Sequence, residues 1–217
     1  IALTSPEEVL LFWFGPNWHD AEEVSSVQYI SNRMGIWFAG ENVVFDLVQK
    51  SNQDLVEKLS TENFEEGLWD TKWGRLARVI LLDQFPGCIY RGTARAFQHD
   101  VLTSKLVKQI VDEGWLLSYA PIYRFFLGIA VQHSEELSMQ EIGVSIAGMV
   151  AEGYSPELQN YFKKLKGYPD EHINVIRRFN RFPSRNIAMK RESTVEEVEW
   201  MNSPECPAWA KSQLIQS

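Results

Sequence analysis

Three groups of residues in this chain carry side chains able to move protons or grip anions. Asp83 and Gln84 precede Phe85-Pro86-Gly87, and Arg91 and Arg95 follow it, so a carboxylate, an amide and two guanidiniums gather around one expected turn. Withdrawn from water, such charges must be paired and hydrogen-bonded. The grouping is either an Asp–Arg lock on the turn or a ligand site, because structural ion-pair networks imitate functional ones. Asn180-Arg181-Phe182-Pro183 has the same Phe-Pro device, with Arg185 and Asn186 just beyond it, and the two turns are placed to face one pocket. The third group is His133-Ser134-Glu135-Glu136, with Gln140 one turn on. There His133 suits a general base, oriented by Glu135 or Asp83. Its alternative role is an imidazole that satisfies a helix end.

Arginine placement supports these windows. Arg75, Arg78, Arg91 and Arg95 form one cluster and Arg177, Arg178, Arg181, Arg185 and Arg191 another, whereas the lysines are scattered. A guanidinium binds carboxylate or phosphate through two parallel hydrogen bonds and keeps its charge when buried, which lysine does less well. His99 beside Asp100 and His172 beside Glu171 read as structural, and Cys88 as an inert thiol. The sequence contains no His-Glu-x-x-His, cysteine pair, glycine-rich phosphate loop or Gly-x-Ser-x-Gly elbow, so neither a metal nor a cofactor is expected.

Composition narrows the partners. With 29 acidic and 21 basic residues in 217, the net charge of -8 argues against a broad grip on nucleic acid or an anionic membrane. A local basic pocket is compatible with it. No apolar run reaches the roughly 20 residues of a membrane span. Cys88 and Cys206 are too few for a disulfide framework, which points to a reducing, cytoplasmic setting.

The elements that must position these groups read as helices. Ser5-Pro6-Glu7-Glu8 opens one that Gly15-Pro16 ends, and Val27 to Phe38 carries apolar residues at helical spacing. Glu41 to Leu59 reads as a third helix, after which Phe64, Leu68, Trp69 and Trp73 lead into a central one. That central helix is apolar on most sides from Leu76 to Leu82 and is expected to stop at Pro86-Gly87. Asp100 is placed to cap a helix ending at Gly114, and another runs from about Pro121 to Val131. Ser134 opens the next, with Glu135 and Glu136 in its first turn. Ser155-Pro156-Glu157 opens one more, His172 to Phe179 is helical, Arg181 to Arg191 is a loop, and Thr194-Val195-Glu196-Glu197 is a last capping box. Period-2 alternation is lacking, so the expected fold is a single all-α domain over residues 1–217, with roughly ten helices stacked as antiparallel pairs in a bundle or superhelix.

The segments LLDQFPGCIYRGTARAFQHD, HSEELSMQE and RRFNRFPSRN followed by RESTVEE, in that order, together resemble a widespread bacterial family of uncharacterised proteins. The likeness spans roughly Pro6 to Met201 and includes Val-Leu-x-Phe-Trp-Phe-Gly at Val9 to Gly15. It implies a tetratricopeptide-repeat-like stack of helix pairs and brings no established activity. Asp83, Gln84, Arg91, His133, Glu135, Arg181, Arg185 and Asn186 fit the family's pattern. Gly87-Cys88 stands where Arg-Asn is usual, Asn180 and Ser184 where Gly and His are usual, and Met189-Lys190-Arg191 where Leu-Gly-Arg is usual.

Two functions follow as expectations. The first is a binding module whose arginines clamp an acidic peptide, a carboxylate or a small anion. The second is a hydrolase acting on a phosphorylated or carboxylated small molecule, with His133, Glu135 and Asp83 as its acid–base candidates.

Overall fold

The computed structural model describes residues 1–38, 42–61, 67–165 and 167–211. The described residues are all-α, with no strand among them. The expected start at Glu41 and the contribution of Phe64 lie outside the described residues.

The first helix, α1, is Pro6–Phe14, with the Ser5 hydroxyl accepting from the Glu8 N–H at its start and Gly15 at φ +94° closing its end. Helix α2 is Val27–Phe38, as its spacing predicts. The expected helix over 41–59 is instead two, α3 (Val43–Lys50) and α4 (Gln53–Leu59). They part at Ser51-Asn52, where the Asn52 amide donates to the Val48 carbonyl at the end of α3 and to the Ile1 carbonyl while its own carbonyl accepts from the Leu3 N–H.

A 3-10 turn at Gly67–Asp70 leads into α5, Lys72–Ile89, capped by the Thr71 hydroxyl. Its 18 residues make it about 27 Å long. Leu76, Ala77, Val79, Ile80, Leu81, Leu82 and Phe85 are buried almost completely, and α1, α3, α4, α6 and α7 pack around it. The expected stop at Pro86-Gly87 is wrong: Pro86 sits inside the helix, which runs on to Ile89. Proline removes one hydrogen bond at a cost of about 3 kcal/mol. Burial of Leu81, Leu82, Phe85 and Pro86, at about 1.5–3 kcal/mol for each large apolar side chain, outweighs it.

After α5 come a 3-10 turn at Ala94–Phe97 and helix α6, Asp100–Asp112. Asp100 is the first residue of α6 and not its cap, a place taken by His99. Helix α7 is Pro121–Gln132, and α8 is Leu137–Met149 with Glu136 as its cap. Ser134 therefore lies before the cap and Glu135 outside the first turn; the Ser134 hydroxyl accepts from the Glu136 N–H. Helices α7 and α8 approach closely at Gly143, where a Cβ would stand 2.8 Å from Gln132 Cγ. Helices α9 (Pro156–Lys163) and α10 (Gly167–Phe179) precede a 3-10 turn at Pro183–Arg185, and α11 (Val195–Asn202) starts with the expected capping box. A short α12, Ala208–Lys211, follows. Val175, Ile176, Phe182, Trp200, Cys206 and Ala210 form a smaller apolar cluster beside the main core.

Two buried arginines tie helix ends together. Arg78 donates to the Leu59 and Thr61 carbonyls at the end of α4. Arg124 donates to Tyr119, Leu117, Met149, Val150 and Glu152 carbonyls, joining the approach to α7 with the end of α8. Both fill acceptors that a helix end or loop leaves open.

The start of α5 leaves no room at Gly74, where a Cβ would lie 2.0 Å from the Leu68 carbonyl oxygen, while Gly35 in α2 has nothing within 4 Å. Gly74→Ala is expected to lower unfolding free energy by at least about 3 kcal/mol, as overpacking against backbone does. Gly35→Ala is expected to raise it by up to about 1 kcal/mol. Urea unfolding of both variants checks the pair, and equal effects would contradict the packing described.

Candidate functional site

Asp83 lies two-thirds of the way along α5, with its side chain only 1% exposed. Its carboxylate has two partners: Oδ1 is 2.7 Å from His133 Nδ1, and Oδ2 accepts from the Gln84 amide. An ionised carboxylate only accepts, so His133 Nδ1–H donates and Nε2 is left as the other ring nitrogen. His133 is the C-cap of α7, and about a third of its side chain is open. The turn that carries it is held by Gln140, whose amide donates to the Gln132 and Ser134 carbonyls at 2.6 Å each.

Arg185 closes the back of this pair. One Nη donates to the His133 carbonyl at 2.8 Å and the other stands 2.9 Å from Asp100 Oδ2. Its guanidinium lies 4.4 Å over Phe97 and 4.5 Å over Phe182. Burial pushes the Asp100 carboxyl up to about 6, with Arg185 and His133 pulling the other way and Asp83 adding to the rise. For His133 burial works against the charged ring, but Asp83 and Asp100 outweigh it and its pKa lies above the ordinary imidazole value.

Asp83, Gln84, Arg91, Asp100, His133 and Arg185 all line one open cleft of about 1540 Å³. That exceeds the roughly 300–1,000 Å³ of ordinary small-molecule sites. The two Phe-Pro segments are not equivalent: Phe182 lines the cleft and Pro183 begins a 3-10 turn, whereas Phe85-Pro86 is buried inside α5 between the cleft-lining Gln84 and Gly87. Residues 9–205 of the chain match the family described as "Bacterial protein of unknown function (DUF924)". The chain belongs to that family. A solved protein of unknown function from Agrobacterium tumefaciens shares its fold at a TM-score of 0.66 and 21% identity, covering 91% of this chain and 96% of the other. No functionally curated protein matches.

Most of the other expected site residues of this DUF924 protein are engaged away from the Asp83–His133 pair. Glu135 receives Arg191 through both Nη groups, at 2.6 and 2.9 Å, and the Phe182 N–H at 2.7 Å. Burial opposes its ionised form, but those donors hold its pKa below the ordinary value. Asn186 accepts from Arg191 and donates to Glu197 and Ser193. Arg181 grips Glu197 with Nε and Nη2 at 2.6 and 2.8 Å. The hydrogen bonds from Arg181 hold the Glu197 carboxyl at about 2 against burial, with the Thr194 N–H assisting. Arg95 belongs to a third group, donating to Glu57 and to the Tyr90 hydroxyl. Arg91 is exposed and has no partner among the described residues.

Sequence reasoning paired His133 with Glu135 or Asp83, and the structure makes Asp83 the partner. It missed Asp100, which was read as a helix cap, although Gln98-His99-Asp100 closes the family segment that begins at Leu81. It also missed the wall formed by His172, Phe182 and Trp209, which line the cleft, with His172 stacked on Trp209 at 3.7 Å. Burial pushes His172 down to about 3, so it stays neutral, and its Nδ1–H donates to the Tyr168 carbonyl.

The raised Asp100 pKa has a thermodynamic sign. A carboxyl near 6 when folded and 3.8 when unfolded binds its proton more tightly in the folded state, so its stabilising effect is present at low pH and lost as pH rises through about 6. Between pH 4.5 and 7.5 the unfolding free energy of the parent protein, relative to Asp100→Asn, is expected to fall by about 2 kcal/mol. His172 titrates in the opposite sense in both proteins and drops out of the difference, whereas His133, whose raised pKa rests partly on Asp100, adds to the fall. Urea unfolding at the two pH values tests this, and a difference that does not change with pH would contradict it.

Proposed function

We propose that this protein is an acid–base enzyme, a hydrolase of a small anionic molecule bound in the cleft. The observation that carries the reading is that Asp83 fixes His133 through Nδ1 while about a third of that side chain stays open, whereas Glu135, Arg181 and Asn186 are consumed in ion pairs and hydrogen bonds of their own. In the proposed reaction His133 Nε2 takes a proton from water as the oxygen adds to the phosphoryl or carboxyl centre. The imidazolium then returns that proton to the leaving oxygen as its bond breaks. Asp83 is the positioning residue that holds the tautomer and favours the imidazolium, and Arg91 meets the substrate's negative charge.

The packing of helices consecutive in sequence, α5 on α6, α6 on α7 and α7 on α8, supports the tetratricopeptide-repeat-like reading of the fold. Two free cysteines fit a reducing, cytoplasmic setting. No helix of the described residues is long and apolar enough to cross a membrane. A binding module for an acidic peptide or small anion, without turnover, is the second reading, and the guanidinium of Arg91, without a partner among the described residues, favours it.

The test is a panel of nitrophenyl phosphates and nitrophenyl esters of dicarboxylic acids, assayed between pH 5 and 9, with NMR titration of the His133 ring. His133→Gln is expected to abolish turnover. Asp83→Asn is expected to lower it by roughly 10²–10⁴-fold and to move the His133 midpoint down, while Arg95→Ala leaves it unchanged. A compound that binds and is recovered unaltered by parent and His133→Gln alike would favour the binding module. Turnover indifferent to His133 would end the catalytic reading.

A further inference from the structure

The cleft is too large and too apolar at one end for a small anion alone. Phe38 at the end of α2 and Val43 and Leu47 on α3 line it, and each is more than half exposed. Trp13, Trp37 and Phe45 line it behind them, with Trp13 stacked on Trp37 at 6.2 Å between centroids and tilted against Phe45 at 5.1 Å. Isolated exposed apolar residues are ordinary, but a contiguous set on the wall of a concavity marks a binding surface. The three exposed residues gain by being covered.

Charge selects what covers them. Lys50 ends α3, one turn beyond Leu47, and Arg91 follows α5; both line the same cleft, and neither has a partner among the described residues. Gln84, Gly87 and Cys88 run along the cleft side of α5 from the Asp83–His133 pair towards Arg91. Lys50, Cys88 and Arg91 line the cleft together, and burial and Asp46 push the Cys88 thiol up while Lys50 and Arg91 pull against them. Asp46 is the carboxylate that acts on Cys88 with them, so two cations stand against one carboxylate at this end of the cleft, while Asp83, Asp100 and Glu171 line it elsewhere.

We infer that the ligand of this cleft is an amphiphilic anion: a carboxylate or phosphate head placed by Arg91 and Lys50, with an unbranched acyl or alkyl chain lying along Phe38, Val43 and Leu47. The inference rests on the reading of the cleft as an anion site and adds the tail. The head lies along α5 from His133, so the acid–base pair faces the polar end of the ligand and the α2–α3 wall its apolar end.

Tryptophan fluorescence read at concentrations below micelle formation tests it, with dodecanoate, dodecyl phosphate, octanoate, acetate, inorganic phosphate and dodecyltrimethylammonium as probes. Affinity is expected to rise by up to about tenfold for every two methylenes buried. Acetate and phosphate should be weaker than the dodecyl anions by at least 100-fold, and the cationic amphiphile should fail to compete. The two dodecyl anions separate a carboxylate from a phosphate head. Leu47→Glu is on the surface and is expected to weaken dodecyl binding by tenfold or more, as is the pair Lys50→Glu, Arg91→Glu, with no loss of melting temperature. His133→Gln should bind as the parent does.

Equal binding of the cationic amphiphile, no dependence on chain length, or indifference to Leu47→Glu would overturn the inference. So would sedimentation showing a dimer that Leu47→Glu disperses, because a second copy would then cover the wall. Chain-length-dependent binding without turnover would sink the hydrolase alone, and turnover of short anions without tail preference would sink the tail site alone.

Discussion

A carboxylate on a helix packed from every side must find its partners inside the protein, because water cannot hydrate it there. Asp83 is in that position: α5 is enclosed by five other helices, and the side chain is 1% exposed. Its requirement reaches outward in steps. His133 must stand at the end of α7 to meet it, the turn after α7 must be held by Gln140, and Arg185 must come from beyond α10 to take the His133 carbonyl and Asp100. One buried acid thus fixes the mutual placement of α5, α6, α7 and the Pro183–Arg185 turn. Gln84, adjacent on the same helix, supplies the second bond that Asp83 needs.

Most of the other arginines answer a different need. Helix ends leave carbonyl groups without partners, and in a bundle of many short helices those ends are numerous and partly buried. Arg78 and Arg124 donate to such carbonyls, and Arg33 donates to Phe12 and Trp13 at the end of α1. A guanidinium suits this role because its fork offers several fixed donors and keeps its charge when desolvated. The choice of arginine over lysine is therefore explained largely by helix ends and by carboxylates such as Glu135, Glu197 and Asp100, and Arg91 is left without a partner among the described residues. Clustering in sequence overstated the number of anion-binding groups.

What was legible in the sequence was local, and what was not was long-range. Helix starts at Ser5, Ser155 and Thr194 were readable because the cap and the N–H that it receives lie within four residues of each other. The run through Pro86 was not, since a local rule gives the cost of proline while the compensating burial comes from five other helices. At the break at Ser51-Asn52 the Asn52 side chain bonds to Leu3 and Ile1, some fifty residues away. The candidate site divided in the same way. His133, Asp83 and the arginine windows could be named by chemical type, but pairing Glu135 with Arg191 and Asp100 with Arg185 requires the fold.

A lock and a site differ in whether the valence of their polar groups is used up. Glu135 accepts three hydrogen bonds and Arg191 donates to three residues, so neither has capacity for a ligand without breaking the C-terminal segment away from α8. His133 is held through one ring nitrogen and its carbonyl, while about a third of its side chain stays open and the residue lines the cleft. Arg91 and Lys50 border the same cleft with no hydrogen-bond or ion-pair partner among the described residues. A group fixed at one end and open at the other is preorganised at little further entropic cost, the condition under which an imidazole acts on a bound molecule rather than on its own fold. By that criterion the chemistry belongs with Asp83 and His133, and the Glu135–Arg191–Asn186–Glu197–Arg181 chain belongs to the scaffold that keeps Arg185 behind them.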